Sequence, residues 1–137
     1  MRIGIVASRF NEEITGELLK RAHDEVGRLG VEATVLQVPG ALEIAVALQW
    51  MAQSGRYDAL VAVGAVIRGD TYHFEVVANE SARGVTEVAL ESGLPVANAI
   101  LTLNSELEAK ERLDKGAEGV RAAVEMAKLK ASVLEAR

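Results

Sequence analysis

An arginine, a glycine and a histidine stand close together in the middle of the chain, in the run Arg68-Gly69-Asp70-Thr71-Tyr72-His73. A small and apolar run, residues 59–67, comes before them, and a helical pattern follows. A glycine lets the backbone approach a ligand, and the free N–H groups of a first helical turn attract anions. Imidazole exchanges protons near neutral pH, so His73 could act as a general acid or base. The run therefore predicts a phosphate-type anion site beside a proton-transfer group.

Simpler interpretations of the same run remain open. Asp70 or Thr71 could merely cap the helix that follows, and a lone histidine is often structural. An aspartate beside a phosphate is electrostatically unfavourable, so in the functional interpretation the side chain of Asp70 turns away from the ligand. The position of His73, about one helical turn from the expected phosphate, favours catalysis over a structural role.

The composition narrows the class of protein. The chain has 137 residues and a formal net charge of −5, which fits a single domain over residues 1–137 and argues against a nucleic-acid partner. It has no cysteine and only two histidines, so no metal site is predicted. No apolar run approaches the roughly 20 residues of a membrane span, and no signal peptide is visible. We therefore expect a cytoplasmic protein that binds no membrane.

Strand-like and helix-like patterns alternate four times along the chain. The strand-like runs are residues 3–8, 31–38, 59–67 and 96–101. The helix-like runs are residues 12–29, 41–54, 72–92 and 106–134, the last with a break near residues 114–116. This alternation predicts an α/β three-layer sandwich, in which helices cover both faces of a four-stranded parallel sheet. The expected strand order is the flavodoxin-like 2-1-3-4.

Ligands of such sheets bind beyond the carboxyl ends of the strands, so the residues near those ends form the candidate site. Phe10 is either a flat ring that stacks on a flat ligand or an apolar side chain that packs beneath the first helix. Glu43 either accepts hydrogen bonds from ligand hydroxyls or complements the dipole of its own helix. The candidates, strand by strand, are Arg9, Phe10 and Asn11; Pro39, Gly40, Ala41 and Glu43; Arg68, Gly69, Asp70, Thr71 and His73; and Asn98, near the end of the fourth strand, with Thr102.

The second helical run, residues 41–54, is too apolar to face water on its outer side. Its Trp50 and Met51 are expected to be core or subunit-contact residues. A four-stranded sheet also leaves two open edges. Together these features predict a homo-oligomer.

A series of motifs runs through nearly the whole chain: Ser8-Arg9-Phe10-Asn11, Val38-Pro39-Gly40-Ala41-Leu42-Glu43-Ile44, Gly64 to Glu75, Asn79-Glu80-Ser81-Ala82-Arg83-Gly84, Pro95-Val96, Ile100-Leu101-Thr102, Glu111-Arg112 and Lys115-Gly116. In these motifs and their order the chain resembles the lumazine synthase family. The resemblance implies condensation of 5-amino-6-(D-ribitylamino)uracil with 3,4-dihydroxy-2-butanone 4-phosphate, which yields 6,7-dimethyl-8-ribityllumazine, phosphate and water. The family uses no metal or organic cofactor, and its members assemble as pentamers, some of which build icosahedral shells.

The resemblance implies that His73 is the general acid/base and that the other matching residues bind the two substrates. Phe10 stacks on the pyrimidine ring, and Glu43 binds ribityl hydroxyls. Backbone at residues 41 and 66–67 holds the ring edges, and residues 69–71 surround the phosphate. Arg112 contacts that phosphate from a neighbouring subunit, and Lys115 lies near the pyrimidine. The full implied set of substrate-binding residues is Phe10, Asn11, Ala41, Leu42, Glu43, Val66, Ile67, Gly69, Asp70, Thr71, Asn98, Arg112 and Lys115.

The chain departs from the family pattern in three places. Many relatives carry phenylalanine at the position of Asn98, the segment between Arg112 and Lys115 is shorter than usual, and the N-terminal strand that pairs with a neighbour's sheet is missing. Two other functions remain open. One is the archaeal-type riboflavin synthase, which converts the lumazine; the other is a non-catalytic flavin- or nucleotide-binding module, which needs neither His73 nor Arg112.

Overall fold

The computed structural model describes residues 1–135, and within them the four predicted strands form one parallel sheet. The strands lie side by side in the order β2-β1-β3-β4, so the flavodoxin-like order is confirmed. Their bounds are β1 Arg2–Ser8, β2 Glu32–Val38, β3 Ala59–Ile67 and β4 Val96–Leu103.

Helices cover both faces of the sheet, which confirms the three layers. Helices α1 (Glu12–Leu29) and α4 (Lys115–Glu135) pack on one face, and α2 (Ile44–Ser54) and α3 (His73–Ser92) pack on the other. Each face has its own cluster of buried aliphatic side chains. No helix within residues 1–135 is long and apolar enough to cross a membrane.

β3 is the most buried strand because it is paired on both sides and covered on both faces. Eight of its nine residues are buried, and only Ile67 at its carboxyl end is partly exposed. Its sequence of small and β-branched residues suits a parallel strand that never meets water. The turn that follows it is therefore held from beneath by the best-packed part of the molecule.

Three element boundaries differ from the sequence prediction by more than one residue. Residues Ala41–Glu43 form a short 3₁₀ turn, and α2 begins only at Ile44. The last predicted helix is divided into a 3₁₀ segment, Glu106–Glu111, and α4, so the break falls at residues 112–114. β4 continues to Leu103, and the prediction that Thr102 lies in a loop was wrong. No strand-breaking residue precedes Asn104 in that run, which is the physical reason for the longer strand.

Helices α1 and α4 are in close contact at Gly116. A Cβ atom at this position would lie inside the contact distance of the Leu18 backbone carbonyl. Backbone cannot yield as a side-chain end can, so the crossing requires a residue without a side chain.

We expect Gly116→Ala to lower the free energy of unfolding by about 1–3 kcal/mol, because the added methyl group forces the two helices apart. The matched control is Gly27→Ala on α1, where a Cβ meets nothing within 4 Å. That change should be neutral or should stabilise the helix slightly. Urea unfolding of both variants measures the difference; equal stabilities would contradict a tight crossing.

Glu25 of α1 links the same two helices by an ion pair with Arg121 of α4. Its side chain is only 8% exposed, and it accepts hydrogen bonds from Arg28 Nε at 2.9 Å and from Arg121 Nη1 of α4 at 3.2 Å. The pKa of Glu25 is lowered to about 2. The hydrogen bond from Arg28 is the largest cause, and the hydrogen bond from Arg121 lowers the pKa further. The carboxylate thus stays ionised down to strongly acidic pH.

A pKa lowered by folding contributes stability above the ordinary glutamate value, and this contribution is lost as the pH falls through the folded pKa. Glu25→Gln should therefore lower the thermal midpoint at pH 7. Its difference from the parent protein should shrink between about pH 4.5 and about pH 2. Glu17→Gln, which removes the partly exposed partner of Arg21, serves as the control and should change the midpoint little. A Glu25→Gln difference that is constant with pH would rule out this role.

Candidate functional site

A cavity of about 410 Å³ lies beyond the carboxyl ends of β1, β2 and β3. This size is typical of small-molecule sites. The turns after three different strands and the first turns of α3 contribute its walls, as expected for an open parallel sheet. The lining residues are Phe10, Asn11, Gly40, Ala41, Leu42, Glu43, Ala65, Val66, Ile67, Gly69, Thr71, His73, Phe74 and Val77.

Phe10 presents its ring at the mouth of this cavity. The residue is 65% exposed, so it does not pack beneath the first helix. Its backbone N–H donates to the Pro39 carbonyl at 3.1 Å, which joins this turn to the turn after β2. An exposed ring on an anchored backbone is suited to stacking on a flat ligand.

Asn11 fixes the same turn from the other side. It adopts a left-handed backbone conformation, with φ 64°, which asparagine tolerates better than most residues. Its side-chain Nδ2 donates to the Ala65 carbonyl of β3 at 3.1 Å, and its own carbonyl accepts the first N–H groups of α1. Asn11 therefore lines the cavity and also holds Phe10 in position.

The two carboxylate oxygens of Glu43 differ in their hydrogen bonds. Its Oε1 accepts the Gly40 backbone N–H at 2.9 Å, which closes the turn after β2. No hydrogen bond within residues 1–135 engages Oε2. The carboxylate lines the cavity, so Oε2 can accept hydrogen bonds from ligand hydroxyl groups.

The turn after β3 offers unpaired backbone donors. Gly69, Thr71 and His73 line the cavity, whereas Asp70 does not. Within the described part of the chain, the N–H groups of residues 69–71 have no hydrogen-bond acceptor, and the His73 N–H meets only Thr71 Oγ1 at 3.4 Å. Free donors at the start of a long helix attract an anion. Simple capping by Asp70 or Thr71 leaves most of these donors unexplained.

Arg68 does not point into this cavity, although both of its neighbours in sequence line it. Its Nη1 donates to Glu75 Oε1 at 2.6 Å, and its Nε donates to Asn104 Oδ1 at 2.9 Å. The guanidinium carbon lies 4.5 Å from the centre of the Phe74 ring. The arginine of the turn is thus engaged within the chain.

Asn98 lies far from the carboxyl end of its strand, so its predicted place there was wrong. It pairs with Ala62 in the middle of β3. The Pro95 and Leu103 carbonyls accept N–H groups from residues 60 and 68, so the backbone N–H and C=O groups of the odd-numbered residues of β4 point toward β3. The backbone groups of Asn98 and Ile100 consequently point toward the open edge. There the Asn98 Oδ1 accepts the Ile100 N–H at 2.9 Å.

Arg112, Lys115 and Thr102 also lie outside the cavity of their own chain. Arg112 is exposed, and its Nη1 donates to the Glu108 carbonyl at 2.7 Å. Lys115 is exposed at the first residue of α4. The chain by itself brings together eleven of the candidate residues: His73, Gly40 and, among the implied substrate-binding residues, Phe10, Asn11, Ala41, Leu42, Glu43, Val66, Ile67, Gly69 and Thr71.

Sequence reasoning missed the apolar wall that Phe74 and Val77 supply. Both lie within one turn of His73 on α3, so the three-residue spacing from Phe74 was a usable signal. Within residues 1–135, no group of three or more metal-ligating side chains is close enough to hold a metal ion.

Comparison with known proteins places this geometry in context. The family model described as 6,7-dimethyl-8-ribityllumazine synthase matches residues 1–131. A protein of that name from Cupriavidus pinatubonensis is 55% identical over 133 residues, which cover 94% of this chain and 80% of the relative. The protein of that name from Cupriavidus necator is 53% identical over 97% of this chain and 82% of its own length. One from Paraburkholderia phymatum is 53% identical over 94% of this chain and 77% of its own length.

Proposed function

Because the chain belongs to the 6,7-dimethyl-8-ribityllumazine synthase family, we propose that it condenses 5-amino-6-(D-ribitylamino)uracil with 3,4-dihydroxy-2-butanone 4-phosphate. The chain is an enzyme, and the reaction is a transferase step of riboflavin biosynthesis. The observation that carries the assignment is one cavity that combines an exposed ring, a carboxylate with a free oxygen, unpaired backbone donors and an imidazole. We treat residues 1–137 as the single domain that forms it.

The pyrimidine substrate fits the half of the cavity near β1 and β2. The Phe10 ring stacks on the flat heterocycle, and the free Oε2 of Glu43 accepts hydrogen bonds from ribityl hydroxyls. Backbone groups at residues 41–42 and 66–67 hold the edges of the ring. The apolar wall around the cavity excludes water from one side of the reacting atoms.

The phosphate substrate fits the half of the cavity at the start of α3. Its phosphate accepts hydrogen bonds from the free N–H groups of residues 69–71, and the positive end of the helix dipole adds attraction. Because Asp70 does not line the cavity, its carboxylate does not oppose the phosphate there. This arrangement holds the two substrates together in one site, which contributes to the rate independently of proton transfer.

His73 stands between these two regions and handles protons. The substrate amine attacks the ketone carbonyl, and His73 assists the loss of water that forms the Schiff base. His73 then assists the removal of a proton from the carbon next to the imine, and phosphate departs from the carbon one position further along. The enol that this elimination leaves becomes a second ketone. Finally, the ribityl-bearing nitrogen closes the second ring with loss of a further water.

The remaining assigned residues act from a neighbouring copy of the chain in this proposal. Arg112 would reach the departing phosphate, Lys115 the pyrimidine, and Asn98 the outer side of the ring. Two observations support an oligomer. Val46 and Trp50 on α2, with Leu42 in the 3₁₀ turn before it, form an exposed apolar stripe. An apolar groove of about 760 Å³ runs beside the open edge of β4. The pentamer, and any shell built from it, remain part of the proposal.

The competing functions have less support. A passive flavin or nucleotide binder needs no imidazole beside the phosphate site. The relatives named above carry the synthase name, and none of them carries that of riboflavin synthase. The cytoplasmic location stays a prediction from the composition.

The purified protein should form lumazine and release phosphate when it is mixed with both substrates. His73→Ala should slow turnover by at most about 10²–10⁴-fold, the usual contribution of one acid or base group. His23→Ala, which removes the exposed histidine of α1, is the control and should leave turnover unchanged. Lumazine absorbance and phosphate release follow the reaction. A parent rate no higher than the uncatalysed condensation would exclude the enzyme assignment, and a fully active His73→Ala would remove this histidine from the mechanism.

If the site is shared between chains, two variants that each lack one of its residues should restore activity when they assemble together. His73→Ala and Arg112→Ala should each be poorly active alone. After unfolding and refolding together, about a quarter of the sites in mixed oligomers combine an intact His73 with an intact Arg112 from the next chain. Activity should therefore rise well above that of either variant. Samples refolded separately and then mixed are the control, and a mixture no more active than that control would place Arg112 outside a shared site.

A further inference from the structure

Four side chains form a cluster at the edge of the cavity, which we call the Arg68 clasp: Arg68, Glu75 and Asn104, which do not line the cavity, and Phe74, which does. Arg68 lies at its centre, with an ion pair to Glu75 at 2.6 Å, a hydrogen bond to Asn104 at 2.9 Å and a stacking contact with Phe74 at 4.5 Å. A guanidinium group can make all three contacts at once because it is planar and carries several donors.

The clasp connects three elements that meet at the cavity. Arg68 directly follows β3, Phe74 and Glu75 lie in the first turn of α3, and Asn104 directly follows β4. The Arg68 backbone N–H also donates to the Leu103 carbonyl at 2.8 Å. The Asn104 backbone N–H is bound in turn by the Glu108 carboxylate. Both ends of the loop formed by residues 69–72 are thereby tied to the end of β4.

The loop itself has little to hold it. All four of its residues are exposed, and within residues 1–135 the backbone N–H groups of residues 69–71 have no acceptor. Its position therefore depends on where its two ends are fixed. The ends are Arg68 itself and the first turn of α3, which are the two points that the clasp joins.

The charge of the Arg68 guanidinium is also engaged outside the cavity. The Arg68 guanidinium is already paired with the Glu75 carboxylate, and its side chain does not line the cavity. A phosphate in the cavity meets the backbone donors of the loop, and Arg68 acts on it through the position of those donors.

We propose that Arg68 is a positioning residue of the synthase site: the clasp sets the spacing of the phosphate-binding loop without touching the phosphate. This proposal rests on the proposed function. It assigns Arg68, Glu75 and Asn104 to the affinity for the phosphate substrate and leaves the pyrimidine half of the site independent of them.

Steady-state kinetics with each substrate varied in turn tests the clasp. Arg68→Met and Asn104→Ala should raise the KM for the butanone phosphate by about three- to tenfold, in the range expected for a partly exposed charged network. The KM for the pyrimidine should change by less than about twofold, since that half is held by other turns. Arg21→Met, which breaks a partly exposed arginine–glutamate pair on α1, is the matched control and should change neither constant. An equal rise in both constants, or no rise in either, would overturn the proposal.

Glu75→Gln separates positioning from direct contact. If Arg68 bound the phosphate itself, removing its ion-pair partner would free the guanidinium and lower the KM for the phosphate substrate. In the clasp, the same change loosens the loop and raises that KM. Arg68→Lys gives a second criterion: a lysine keeps the charge but not the fork geometry, so it should resemble Arg68→Met. A lower KM for Glu75→Gln, or a parent-like Arg68→Lys, would show direct contact.

Hydrogen exchange tests the clasp without any enzyme assay. Amides of residues 69–73 should exchange faster in Arg68→Met, Glu75→Gln and Asn104→Ala than in the parent, while amides of β3 keep their protection. If the parent protein proves inactive but these amides respond, the proposed function fails and the clasp stands. If the parent is active and the loop exchanges at an unchanged rate in all three variants, the clasp fails and the function stands.

Discussion

The parallel pairing of β3 with both β1 and β4 is the constraint on which the site depends. Parallel strands end at the same edge of the sheet, so the order β2-β1-β3 brings the turns after these three strands together there. The contact of β3 with β1 and α2 is close-packed at Gly64: a Cβ there would lie 2.8 Å from Ser8 Oγ and 3.2 Å from Ile44 Cδ1. This glycine lets α2 settle on β3 directly beneath the cavity.

Each of the three turns around the cavity is held by one of its own polar side chains. Asn11 reaches the Ala65 carbonyl, Glu43 reaches the Gly40 N–H, and Arg68 reaches Asn104. The groups left facing the cavity are then a ring, one carboxylate oxygen, an imidazole and unpaired backbone donors. Supports that are already satisfied within the chain reduce the ordering that a ligand must impose on the site. The polar residues of the site therefore divide into those that hold backbone and those that remain free for substrate.

The sequence predicted the elements well because its signals were local. Alternating apolar runs and glycine stops located the strands and helices, and the topology followed from parallel crossovers. The direction of Arg68 could not be predicted, because it depends on Asn104, a residue 36 positions away. The place of Asn98 was missed because β4 runs two residues beyond its expected end, which moves every side chain before it away from the site edge.

The bond between Asn98 and the Ile100 N–H bears on how this protein avoids misassembly. The outer edge of β4 is a row of outward-facing donors and acceptors, and such an edge can template a foreign strand. Asn98 already occupies one of those donors with its own side chain. An incoming strand would have to break that bond before it could pair in register along the edge. A partner that packs against side chains in the adjoining apolar groove meets no such obstacle, so this edge favours association by side-chain packing over continuation of the sheet into a fibre.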